Sequence, residues 1–159
     1  MTMAAGELAR DLSALLLPLA EELLIVPSAV VVEIIRRREL LRPVQAPAWL
    51  LGMLHWHETL IPVLSFETLN GGVIRDGGQG GRIVVMSTLG EGGGWRNYAI
   101  LARGVPHLLL MTAADVHTDP QRPPGPAEQM KVRVHGRNAA IPDLDALEAA
   151  LLQVRAGTN

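Results

Sequence analysis

Residues 52–66 read "GMLHWHETLIPVLSF", an apolar stretch, then two histidines and a glutamate within residues 55–58, then a second apolar stretch broken by Pro62. Two readings compete: a metal or acid/base site, or a β-hairpin with His57 and Glu58 at its tip. Histidines at i and i+2 of a strand share a face, so His55 and His57 would reach one ion together. Zinc chemistry needs three protein ligands and an open position. Glu58 points to the opposite face if the strand continues, and residues 59–65 hold no acid. The hairpin is the better reading; a small β-barrel metal-binding protein or enzyme using His55 and His57 is the alternative.

Outward from this hairpin the chain punctuates into strands. "LSALLLPLA" and "LLIVPSAVVVEII" are apolar runs separated by Ala20, Glu21 and Glu22, which predicts strand, turn, strand. The β-branched cluster Val30, Val31, Val32, Ile34 and Ile35 suits a pleated surface, although residues 29–36 also admit a helical turn. "RRRELLRPVQAPAWLLG" carries prolines at 43 and 47 and reads as a connection returning to a strand near Trp49. Downstream, "RIVVMSTLG" turns through "EGGGW", "RNYAILARGVPHLLLM" reads as a hairpin, and "MKVRVHGRNAAIPDL" as a final hairpin turning near Gly136. Residues 143–155 have helix formers, an early acidic bias and apolar spacing at Leu144, Leu147, Leu151 and Val154.

A weak repeat runs through this pattern. Val26, Val31 and Ile34 are matched at one offset by Ile100, Val105 and Leu108, and Ile61, Pro62 and Leu64 are echoed by Ile141, Pro142 and Leu144. The glycine-rich residues 73–81 then read as a linker between halves 12–72 and 80–143, with residues 1–11 a tail. Such a duplication predicts two small barrels packed side by side with an apolar groove between them.

Composition narrows function. Apolar residues make up 48% of the chain and net charge is −2, so a core is available and no global field attracts nucleic acid. Without cysteine there are no disulfides or thiolate sites. The N-terminal apolar run falls short of the ~20 residues of a spanning helix, and the expectation is a soluble, cytoplasmic protein without direct membrane insertion. Ser28, Ser65 and Ser87 sit inside apolar runs without a nucleophile elbow, and Asp115, Asp119, Asp143 and Asp145 fall where carboxylates cap turns. The arginine run lacks interleaved aromatics. Binding, not catalysis, is the leading class.

The ordered segments "VVVEII", "APAWLLGMLHWHETLIPVLSF", "RIVVM", "YAILARGV" and "IPDLDALEAAL" resemble the CheW family of bacterial chemosensory adaptors over residues 12–152. The resemblance implies a mainly β fold of two SH3-like five-stranded β-barrel subdomains with a C-terminal helix, no cofactor, no metal and no chemistry. It implies two partners, a CheA-type histidine kinase and the cytoplasmic tip of a methyl-accepting chemoreceptor, in membrane-associated arrays. Positions matching the family's receptor groove are Val31, Glu33, Ile34, His57, Ile83, Ala99 and Leu108. Where the family has Asn-Leu-Arg-Gly, this chain has His55, Trp56, His57 and Glu58. The arginine that would pair with Glu33 is thus a histidine, which pairs ionically only while protonated. The turn glycine is gone, and a glutamate at φ > 0 costs on the order of 1 kcal/mol, so a reshaped turn is expected. These departures point toward a divergent branch, such as one serving type IV pilus (twitching) chemosensory systems.

Overall fold

The computed structural model describes residues 12–73, 80–90 and 94–157, with side chains as far as Val154. Four of its strands are β1 (Leu12–Pro18), β2 (Leu23–Pro27), β6 (Arg82–Ser87) and β7 (Asn97–Ala102). Their sequences are apolar almost without alternation, because they are covered on both faces. Along β6, Ile83 and Val85 turn into one cluster while Val84 and Met86 turn into another. Along β2, Leu23 and Ile25 turn one way, Leu24 and Val26 the other. The remaining strands are β3 (Val31–Arg36), β4 (Leu50–Trp56), β5 (Thr59–Leu64), β8 (His107–Met111), β9 (Val116–Thr118), β10 (Glu128–Val134) and β11 (Arg137–Pro142). One helical turn, α1 (Phe66–Leu69), follows β5, and helix α2 (Leu144–Gly157) follows β11.

These strands form two sheets. Sheet I has the order β8-β1-β2-β11-β10-β9 and sheet II the order β3-β6-β7-β5-β4. Each wraps its own cluster, around Leu16, Ile25 and Val132 in sheet I and around Leu54, Ile83 and Val85 in sheet II. A third, larger cluster fills the seam between them: Leu17, Leu24 and Val26 meet Leu64, Val84, Met86, Tyr98 and Ile100, with Leu147, Leu151 and Val154 of α2. The fold is therefore mainly β with a terminal helix, as expected, but sheet I has a sixth strand. That strand, β9, is only three residues long and is set against β10 by the Thr112–Asp115 capping box. In sheet II its place is held by one bridge, Leu41↔Met53, beside Gly52, where a Cβ would meet Leu40 Cβ at 2.7 Å.

The sheets follow one plan, and the chain exchanges hairpins between them. Hairpin β1–β2 precedes β3–β5 in sequence, yet it pairs with β8 and, in parallel, with β11. Hairpin β6–β7 reciprocally pairs with β3 and, in parallel, with β5. The ladder rows Val26–Leu15–Leu108 and Ile100–Val84–Ile34 are equivalent, so two of the first three expected matches, Val26 with Ile100 and Ile34 with Leu108, are structural, while Val31 is in β3 and Val105 lies before β8. The second half is out by two: Ile61 lies opposite Leu54 and Ala139 opposite Val132 at matching distances from their turns. Ile61 therefore corresponds to Ala139, not Ile141.

Three further expectations are corrected. Residues 23–35 are two strands in different sheets, divided by the 3-10 turn Ser28–Val30. β7 and β8 likewise belong to different sheets and do not form a hairpin. The spans 12–72 and 80–143 are not the two sheets, and the segment 73–81 separates β5 and β6 of one sheet. Each sheet needs a hairpin from the far half to bury its edge, which no local pattern announces. Residues 74–79 of the expected linker, 91–93 of the "EGGGW" turn and the 1–11 tail lie outside the described residues.

Two glutamates clasp the exchanged hairpins. Glu67 of α1 accepts the Ala20 N–H at 3.2 Å at the tip of β1–β2 and pairs with Arg103 Nε at 3.2 Å. Glu148 of α2 accepts the Leu89 and Gly90 N–H groups, each at 2.8 Å, at the tip of β6–β7. The two helices begin alike, Ser65 Oγ accepting from Thr68 N–H and Asp143 Oδ1 from Ala146 N–H.

Candidate partner-binding site

Strand pairing decides where the expected groove residues face, because directly opposed residues share a side of the sheet. Ile34 stands opposite Val84 and Val31 opposite Met86, both in the seam cluster. Leu108 stands opposite Leu15, also in that cluster. These three therefore face the seam, from edge strands β3 and β8. Ile34 is 39% exposed and Leu108 64%, while Val31 is half-buried against the core. The 3-10 turn that leads into β3 packs on β1, the neighbour of β8 in sheet I: Ser28 Oγ donates to Ser13 O at 3.1 Å. Val32 and Leu110 are further exposed apolar side chains on these strands.

Ile83 and Ala99 do not join it. Both are fully buried in the sheet II cluster, on the far side of β6 and β7 from the seam. They lie inside the barrel wall because the alternation along those strands gives the seam to Val84, Met86, Tyr98 and Ile100 instead.

Glu33 and His57 form a separate polar group on β3's other face, since Glu33 stands opposite Val85 of the sheet II cluster. His57 Nε2 lies 3.2 Å from Glu33 Oε2, and Trp56 Nε1 donates to the same oxygen at 2.8 Å. The indole hydrogen bond first, then the imidazole, hold the Glu33 carboxyl below the usual range, with Arg38 adding positive field. Trp56 was not among the expected site residues. Its signal was chemical: a tryptophan at a strand end keeps its ring on the core and needs an acceptor for its N–H.

The turn itself keeps its tight form. His57 has φ 46° and Glu58 φ 64°, positive at both central residues as a two-residue type I′ hairpin demands, and Trp56 pairs with Thr59. The expected reshaping does not occur; the strain is accepted, with Thr59 Oγ1 donating to Trp56 O at 2.8 Å. His57 thereby leaves the strand, so the two histidines do not share a strand face, and Trp56 meets His57 edge-on with centroids 4.3 Å apart. Among the described residues no group of three or more His, Cys, Asp or Glu side chains is arranged to hold a metal ion. Nor is any described helix long and apolar enough to cross a membrane.

A family model described as "CheW-like domain" matches residues 13–150. Among solved structures, the chain is similar to the crystal structure of scaffolding protein TtCheW from Thermoanaerobacter tengcongensis, with TM-score 0.69 and 16% identity, covering 83% of this chain and 88% of that one. No curated protein matches the sequence.

Proposed function

This chain belongs to the CheW-like domain family, and we propose that it is a non-catalytic scaffold that couples a chemoreceptor to a CheA-type histidine kinase in the cytoplasm. The observation that carries this reading is the pair of edge strands on the seam, β3 and β8, which present Ile34 and Leu108 from equivalent positions. Exposed apolar side chains at a cleft between two packed bodies suit insertion of a helical tip, and carry no group for bond making. The changed "HWHE" turn supports a divergent branch, such as one serving type IV pilus motility; pilus response regulators encoded beside the gene are the expected finding.

Mixing the purified protein with kinase and receptor fragments from the same genome should give a complex, and absence of both complexes rejects the proposal. Ile34→Asp places a charge in the desolvated contact and should weaken receptor binding by ~2 kcal/mol or more. Because Ile34 is exposed in the free protein, thermal stability should change little, which separates lost docking from lost folding. Val31 is a poorer probe, since it also packs on the core.

A further inference from the structure

Glu33 is bound on one side only. Both of its hydrogen bonds fall on Oε2, from Trp56 Nε1 and His57 Nε2, while Oε1 has no protein partner among the described residues and the side chain is 42% exposed. A carboxylate offers about four acceptor positions, so half its capacity is unused. Unlike the imidazole, the indole donor does not titrate, and its ring is fixed by packing against the sheet II cluster. Arg38, tied to His55 O through Nη1 at 3.4 Å, is the other charge near Glu33, and from β6 its opposed neighbour is the apolar Val85. β3 is the edge of its sheet, and Glu33 and Ile34 are neighbours on it that face opposite sides, so a partner lying along that edge can meet both.

We propose that Trp56 is a positioning residue: it pins Glu33 through Oε2 and so presents Oε1 at the open edge of β3 as the polar anchor for a side-chain N–H donor (guanidinium, ammonium or amide) of the docking partner. This rests on the adaptor reading and adds to it the chemistry that the partner must supply beside its apolar insert.

Trp56→Phe keeps the ring on the core and removes the N–H, and Glu33→Asp withdraws the carboxylate from the indole without touching the core. Two readouts are needed, a carbon NMR titration of the carboxyl at position 33 in the free protein and the affinity for a receptor-tip fragment. In Trp56→Phe the titration midpoint should rise toward the ordinary glutamate value and affinity fall by about tenfold, as loss of one charge-assisted hydrogen bond allows. Glu33→Asp should lose affinity similarly while remaining folded. Unchanged titration and affinity in Trp56→Phe, with the parent protein binding normally, overturns the inference and leaves the adaptor reading standing. A parent protein that binds no receptor fragment sinks the adaptor reading and the anchor role of Oε1 together, even if the titration shows the indole holding Glu33.

Discussion

Sheets I and II share a strand plan but differ at one position of the edge strand and at two of the three matched residues of a hairpin turn. On the edge strand, Glu33 of sheet II corresponds to His107 of sheet I; at the hairpin, Trp56, His57 and Glu58 correspond to Val134, His135 and Gly136. Sheet I thus has neither the carboxylate nor the indole that holds it, and its Val134 is buried inside the barrel. The difference teaches that one strand plan can present two similar apolar edges while only one of them carries a carboxylate held by an indole.

The largest test of the comparison lies in the clasps. Glu148 accepts two backbone N–H groups and is itself buried, whereas Glu67 accepts one backbone N–H and an arginine. Charge-assisted bonds to otherwise unpaired backbone are the costly ones to lose. Glu148→Ala should therefore destabilise by about 3 kcal/mol in urea unfolding and Glu67→Ala by about 1 kcal/mol. Equal losses would mean that the two hairpins are held equally and that the asymmetry lies only at the edges.

Much of this was legible in the residues, and the failures share one cause. β4, β5, β10, β11 and the terminal helix were readable because their pairing or periodicity is local. The sheet membership of β1, β2, β6 and β7 was not, since a run such as "LLIV" states that both faces are buried without stating by what. Pro27 and Ser28 mark the crossover between sheets, but they resemble any interruption of a strand. Ile83 and Ala99 enter the expected groove only through the family resemblance: alternation fixes which residues share a face, and only the packed structure says which face is the seam. Trp56 escaped because an indole inside an apolar strand passes for core until the carboxylate from another strand arrives.

The hairpin tips give a smaller, sharper contrast. His57–Glu58 and His135–Gly136 both adopt positive φ, but only one pair has glycine where no Cβ is tolerated well. An L-residue held in the left-handed region costs roughly 1 kcal/mol relative to glycine. Glu58→Gly should stabilise the protein by about 1 kcal/mol and Gly136→Ala destabilise it by a similar amount, since open space surrounds Gly136 and only backbone strain is added. If Glu58→Gly stabilises yet receptor affinity falls, the glutamate is retained for contact rather than by neglect.

The smallest effect concerns the strand that sheet I has and sheet II lacks. β9 is introduced by Asp115, whose carboxyl is held below its usual range chiefly by the Thr112 N–H at 2.8 Å and then by the Thr112 hydroxyl, with His135 and His117 adding positive field. A carboxylate with a depressed value in the folded state stabilises above its unfolded value, and that contribution disappears as pH falls through the lower, folded one. Asp115→Asn keeps an acceptor for Thr112 but cannot titrate. Urea midpoints of the parent should therefore fall from neutral pH toward about pH 3 more steeply than those of the variant, and amide exchange in Val116–Thr118 should follow the same order. Parallel acid profiles would show that β9 is held by its pairing to β10 alone, and that the one-bridge edge at Leu41 differs from it in length but not in kind.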